Sequence, residues 1–444
     1  MSSKTKTTAT KEEAKVAGAS SSKARQKGEQ DAPSILVPKL RFPEFRETED
    51  FKPITLEEAS TPVTERVGER KLTPVSISAG IGFVPQAEKF GRDISGNQYQ
   101  VYTLVRDGDF VFNKGNSLKF PQGCVYLLQG WGQVAAPNVF ICFRLKKGYS
   151  NGFFQQCFEQ NQHGRELKRH ITSGARSNGL LNISKETFFG VEIPTPSPAE
   201  QQKIAECLSS VDELIAAQAR KVDALKIHKK GLMQQLFPRE GESQPRLRFP
   251  EFQNAGEWVL RKAGSLFTNR VTKGEKGLPL YSVTMHDGMV RRDSLDRNYY
   301  DIEDAAGNKK VCRDDIAYKM MRMWQGALGV APEDCLVSPA YIVLAPVKGT
   351  VPVFFQFLFK LPETLLVLTS HSRGLTKDRL RLYYDDFARI PLRCPTPAEQ
   401  QRIADCLTSL DDLIAAQTQK HEALKTHKQG LMQQLFPSPE EVEA

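Results

Sequence analysis

From residue 198, and again from residue 397, apolar side chains recur at alternating steps of four and three. In the first stretch Ile204, Leu208, Val211, Ile215, Val222, Leu225, Leu232 and Leu236 hold this series, with Gln218 and Lys229 filling its gaps. In the second the series reads Ile403, Leu407, Leu410, Ile414, Gln417, His421, Leu424, Lys428, Leu431 and Leu435. This is a heptad seam, and it predicts one long helix in each stretch with a stripe for a partner helix. Pro198 and Pro397 suit a first helical turn, Glu200 and Glu399 favour the positive end of the dipole, and Pro238 and Pro437 cannot continue the helix. Such a helix would be about 58 Å long. Gly231 and Gly430 allow a bend or fray near its end.

The two stretches are copies. Residues 198–238 return at 397–437 with 30 of 41 positions identical and no gap. A shorter echo opens each half, Leu40-Arg41-Phe42-Pro43-Glu44-Phe45 against Leu247-Arg248-Phe249-Pro250-Glu251-Phe252. Between the echoes the halves differ greatly, but two landmarks survive. Asp109-Phe110-Val111-Phe112 parallels Asp315-Ile316-Ala317-Tyr318, and residues 136–141 parallel 338–343. All read as short strands bounded by Gly, Pro and Asp. The predicted fold class is therefore α+β: two similar mixed α/β globular domains, each followed by a long helix. A pseudo-twofold relation would pair the helices antiparallel as a coiled coil and bring Gln218 and Gln417 together near mid-seam. There the two amides either hydrogen-bond and fix register or stay solvated on a loose seam.

The predicted organisation is a basic tail lacking order (1–34), a first globular domain (35–195), a central helix (196–238), a second globular domain (239–393), a C-terminal helix (394–437) and an acidic tail (438–444). The tail is either a solubilising extension or a source of non-specific DNA affinity. Net charge is +9. The excess lies in the tail and the globular segments, with 19 basic against 16 acidic residues in 40–195 and 23 against 17 in 246–393, while 394–444 carries 4 against 8. That distribution suits polyanion binding by the globular parts, though the margin is small. Eight cysteines without a close pair argue against zinc and against a disulfide framework, and predict reduced thiols. No apolar run is long enough to span a bilayer and no secretory signal is evident, so a cytoplasmic protein is expected.

The paired PAEQQ…GLMQQLFP helices, the LRFPEF openings, and the SNGLLNI and VSPAYIVL stretches resemble the specificity subunit of bacterial type I restriction-modification systems. The resemblance covers roughly residues 36–437. It implies that each globular segment is a target recognition domain reading one half of a split sequence in double-stranded DNA. It also implies that the helices space the domains and dock two methyltransferase subunits, with restriction subunits joining through the complex. Two divergent domains on a spacer can grip half-sites roughly a helical turn apart and leave the middle base pairs unread.

Base readout needs Arg, Lys, Asn or Gln on loops that reach the major groove. In the first domain the candidates are Asn113, Lys114, Asn116 and Ser117 on one Gly-containing loop, and Arg176, Ser177 and Asn178 on another. In the second they are Lys319, Arg322, Trp324 and Gln325 after the Tyr318 strand, with Arg373 as counterpart of the second loop. Arg66 and Lys71, and in the other half Arg270 and Lys273, are expected phosphate contacts. Asn113 and Asn178 read equally as turn formers, and Trp324 as a core anchor.

No phosphate-binding glycine loop, amino-methyltransferase motif, nucleophile elbow or zinc-protease motif occurs. Intrinsic catalysis is therefore not expected, and no cofactor is expected in this chain. S-adenosylmethionine, ATP and magnesium would enter with partner subunits. Two rivals stand beside this reading: a protein-interaction scaffold that binds no DNA, and an autonomous enzyme with unfamiliar motifs.

Overall fold

The computed structural model describes residues 36–115, 120–171, 181–285, 287–295 and 305–437. The chain divides into two compact units. One runs to Glu206 and takes in the chain again from Met432; the other spans Cys207–Leu431. Each long helix therefore contributes to both. The helices run Pro198–Leu236 and Pro397–Leu435, each 39 residues and continuous through Gly231 and Gly430.

In the first unit an antiparallel sheet has the order Ser60–Pro62, Ile141–Leu145, Asp109–Asn113, Cys124–Leu127. The two landmark regions of the sequence thus meet, with Phe110 opposite Phe143 and Val111 opposite Cys142. A second sheet joins Gly82–Pro85, Thr73–Ser78, Gln133–Ala136 and Thr103–Arg106, and contains one parallel pair. The alternation along Asp109–Asn113 divides its apolar load. Val111 and Cys142 face a core with Val75, Val105 and Val134. Phe110 and Phe112 face an aromatic cluster, stacked on Phe143 at 5.4 Å and on Phe188 at 4.3 Å.

The second unit repeats the first of these sheets. Its order is Phe267–Asn269, Tyr341–Pro346, Ile316–Lys319, Leu328–Val330, again antiparallel. Helices Pro352–Phe359 and Pro362–Ser370 cover it, and Phe354, Phe355 and Phe359 are fully buried with Phe267 and Phe387. Elsewhere the described residues of the second unit form two-stranded pairs, such as Tyr281–Val283 with Met289–Arg291.

What the units share most closely is a three-part clamp. In the first unit Arg41 donates to both oxygens of buried Glu200, at 2.8 and 2.7 Å, and to the backbone carbonyl of Glu49 at 2.7 Å. In the second, Arg248 reaches both oxygens of Glu399 at 2.7 Å and the carbonyl of Ala255 at 2.6 Å. The guanidinium fork matches the carboxylate, and the glutamate also sits in the first helical turn, where negative charge is favoured. The next side chains repeat the arrangement. Lys203 lies 5.7 Å over the Phe42 ring and pairs with Glu44 at 3.2 Å. Arg402 lies 4.4 Å over Phe249 and pairs with Glu251 at 3.0 Å. Buried Gln201 donates to the Pro196 carbonyl and accepts from the Ser150 amide, as Gln400 does with Pro395 and Val351.

The third part of the clamp is the end of a long helix. The Leu40 amide donates to the Gln434 carbonyl at 2.9 Å, and Phe436 stacks on Phe153 at 5.3 Å. In the second unit the Leu247 amide donates to Gln235 at 3.0 Å, while Phe237 packs against Phe354 and Trp258. The opening motif, the start of one helix and the end of the other thus meet in each unit. This accounts for the repetition of LRFPEF, PAEQQ and MQQLF.

Removing one member of a buried, hydrogen-bonded ion pair leaves a charge without compensation and costs about 3–5 kcal/mol, whereas replacing both by apolar residues is often neutral. Arg248→Met should therefore lower thermal stability sharply, and Arg248→Met with Glu399→Met should recover most of the loss in a calorimetric melt.

His163 supplies a second expectation. It is buried edge-on between Phe112 and Phe158, at 6.0 and 5.6 Å, and burial pushes its pKa down to about 4, opposed by the nearby backbone of Gly123. Between pH 6.5 and about 4 the unfolded chain binds a proton there that the folded chain refuses. Its contribution to stability is thus complete above pH 6.5 and falls with pH, by roughly 3 kcal/mol once pH 4 is reached. A His163→Phe variant should show a flatter melting temperature across this window.

Candidate nucleic-acid interface

In both units the central strand ends beside a second loop segment. The Lys114 carbonyl accepts the Leu181 amide at 2.9 Å, and in the second unit the Met320 carbonyl accepts the Leu382 amide at 3.1 Å. Each strand thus delivers its following loop against the segment that precedes the last helix and strand of the unit. In the second unit the two candidate loops are brought together in this way.

In the first unit Asn113 donates to the Ile77 carbonyl and accepts from the Gly115 amide, both at 2.8 Å, so its side chain shapes the turn. Lys114 is half-buried beside it. Asn116, Ser117, Arg176, Ser177 and Asn178 lie outside the described residues. Arg66 donates to the Val101 carbonyl and to Asn138 Oδ1, and Lys71 is exposed nearby in sequence.

In the second unit Lys319 is half-buried at the strand end. Arg322 donates to Gln325 Oε1 at 2.9 Å, and Trp324 Nε1 donates to the Met321 carbonyl at 3.2 Å on a short turn. Arg373 donates to Asp386 at 2.6 Å. Arg270 forks onto buried Asp315 at 2.6 and 3.2 Å, and the pair raises its pKa above the usual arginine value. Asp315 also accepts the Cys312 amide, so this arginine braces the sheet. In the first unit the matching carboxylate, Asp109, is held by Arg144 at 2.6 Å from a different strand. Lys273 is exposed next to a bridge with Lys309.

Missing from the sequence reading are Arg379 and Arg381. With Met321, Tyr383 and Asp385 they line a cleft of about 720 Å³. The available signal was the density of basic residues in 373–381, which includes Lys377.

Along the helices within the second unit, Leu208, Val211, Gln218, Val222, Ile403 and Leu407 are buried. Ile215, Leu225, Leu232, Leu410, Ile414, Gln417, His421, Leu424 and Leu431 are half-buried. In the first unit Ile204 and Leu435 are buried, as is Leu236 in the second. Gln218 Nε2 donates to Gln417 Oε1 at 3.0 Å and to its backbone carbonyl at 2.9 Å. Lys229 pairs with Asp411 at 2.5 Å and Lys428 with Asp212 at 2.8 Å. The order of these contacts requires the two helices to run in opposite directions.

Among the described residues, no cluster of three or more His, Cys, Asp or Glu side chains could hold a metal ion. No single helix there is long and apolar enough to cross a membrane.

Residues 96–226 match the type I restriction modification DNA specificity domain. Over 356 residues the chain is 25% identical to the MjaX specificity subunit assigned to a type I restriction enzyme of Methanocaldococcus jannaschii, covering 78% of this chain and 81% of that protein. The MjaVIII specificity subunit of the same organism is 34% identical over 67 residues, 15% of this chain and 16% of the relative. The type I restriction-modification S subunit of M. genitalium superposes with a TM-score of 0.53 at 14% identity, over 91% of this chain and all of that one. A chain from a study of assembly and conformational transition of the type I R-M system gives 0.52 at 16% identity, over 87% and 98%. The solved structures share the mixed α/β fold of this chain. The chain is thus similar over most of its length to a type I restriction enzyme specificity subunit, and nearly a third of it matches the DNA specificity domain.

If the paired amides fix register, Gln218→Leu with Gln417→Leu should keep the helices associated but loosen their alignment. Cross-linking of cysteines placed at 215 and 421, both on the seam, would report it; an unchanged cross-linking pattern would remove that role.

Proposed function

We propose that the chain reads a bipartite target in double-stranded DNA, one half-site per globular domain. Recognition falls to residues 35–195 and 239–393, while 196–238 and 394–437 act as spacer and docking surface. In this reading the helices form an antiparallel coiled coil with pseudo-twofold symmetry, and the candidate loop residues carry the contacts. Two methyltransferase subunits dock on it and restriction subunits join through them, bringing S-adenosylmethionine, ATP and magnesium. The setting is cytoplasmic defence against foreign DNA such as that of phage.

The observation that carries this reading is the contrast within the repeat. The arginine–glutamate fork and its flanking contacts recur in both units, while the residues that follow the matching strands share almost nothing in sequence. Selection has kept the frame and varied the tips, as expected where two tips read different sequences. Docking is supported by Leu214 and Leu413, equivalent leucines off the seam that remain 57% and 43% exposed. A pair of equivalent apolar spots suits two identical partners.

The test pairs this chain with its methyltransferase partner and the split motif mapped from methylated DNA of the source cells. The complex should shift a duplex bearing both halves at least tenfold more tightly than one bearing either half, with steep salt dependence. Arg176→Ala should weaken one half-site only. Leu214→Arg with Leu413→Arg should abolish co-purification of the methyltransferase. Equal affinity for target and random duplex would instead favour the protein-interaction scaffold.

A further inference from the structure

Residues 373–381 form a closed loop in the second unit. The Arg373 amide donates to the Arg381 carbonyl and the Arg381 amide to the Arg373 carbonyl, both at 2.9 Å. Inside this ring the Arg379 amide donates to Thr376 at 2.9 Å, and Lys377–Arg379 form a single tight turn. The two sides approach so closely that a Cβ on Gly374 would lie 2.6 Å from the Arg379 carbonyl oxygen. Only glycine permits the closure. The Leu382 amide then fastens the base of the loop to the Met320 carbonyl. The loop is thus set in shape before any ligand arrives, which lowers the ordering cost of binding.

Its side chains divide into two groups. Arg373 is the tether: it donates to Asp386 at 2.6 Å and lies 5.9 Å from the Tyr383 ring centre, so its charge is already compensated. Arg379 and Arg381 are exposed and make no ion pair among the described residues. Leu375 is 96% exposed, the most exposed of the large apolar side chains among the described residues. An isolated surface leucine is unremarkable by itself. This one stands on a loop closed by backbone hydrogen bonds, which also carries guanidinium groups that line a cleft of about 720 Å³. Asp385 also lines that cleft, an acceptor that repels a bare phosphate but suits an exocyclic amino group on a base edge.

We propose that residues 373–381 are the reading finger of the second unit: Leu375 makes apolar contact with bases in a DNA groove, Arg379 and Arg381 bind the duplex on either side, and Arg373 is a positioning residue. This rests on the DNA-reading assignment above and adds the residues that execute it. Apolar side chains beside cations serve this purpose at base steps and thymine methyl groups.

The experiment uses the complete complex with its methyltransferase, the mapped target duplex and a random duplex of equal length. Arg379→Ala and Arg381→Ala should each reduce the slope of log affinity against log salt by about one. Leu375→Ala should weaken the target duplex about tenfold, leave the salt slope and random-duplex affinity unchanged, and lose footprint protection at one half-site only. Gly374→Ala, which deletes no contacting group, should lose the same half-site protection. Because the substituted arginines and the leucine are exposed, an unchanged melting temperature and intact protection of the other half-site check the fold. A Leu375→Ala complex that matches wild type on both duplexes overturns the finger while leaving DNA reading intact. A wild-type complex that fails to distinguish target from random duplex overturns both.

Discussion

The rest of the structure depends on a guanidinium buried against a carboxylate at the foot of each long helix. Arg41 with Glu200, and Arg248 with Glu399, join the opening motif of a unit to the first turn of its helix. Taking two charges out of water is costly, and the bond is tolerated because every guanidinium nitrogen finds an oxygen and the carboxylate sits on the helix dipole. Such a bond specifies geometry more than it adds stability. It fixes where the helix leaves the domain, and therefore where the loops stand relative to the helix axis in that unit.

Much of this frame was legible in the sequence because it rests on periodicity and repetition. The heptad steps and the flanking prolines bound the helices, whose limits at Pro198–Leu236 and Pro397–Leu435 follow from local chemistry alone. The purpose of LRFPEF was not legible. Its arginine finds a partner 159 residues away in one unit and 151 in the other, a separation no pattern reveals. The partners of Lys229 and Lys428 were hidden for the same reason, although Asp411 and Asp212 are themselves related by the repeat.

The candidate interface was harder to read because an arginine's residue type does not show whether its charge is free. Arg270 and Arg373 sit on loops of suitable composition, yet each is engaged by a carboxylate, Asp315 or Asp386. Arg379 and Arg381 look alike in sequence and stay open. The sheets illustrate the same point: Asp109 and Asp315 occupy equivalent places, but their arginines come from different strands. A frame can preserve the carboxylate and recruit its cation from wherever the local chain allows, which leaves the loops free to diverge.

The placement of Phe436 against Phe153 has a consequence for the birth of the protein. The aromatic cluster of the first unit has been translated by Phe189, but Phe436, which packs on it, is translated only after the residues of the second unit. At roughly 5–20 residues per second, the nascent domain waits tens of seconds with that aromatic face uncovered. The second unit has no such delay beyond its own length, since Phe237 precedes the residues it packs against. The first domain is therefore closed only once the second has been made, and a chain interrupted before the last turn of the helix Pro397–Leu435 leaves its earlier domain unfinished.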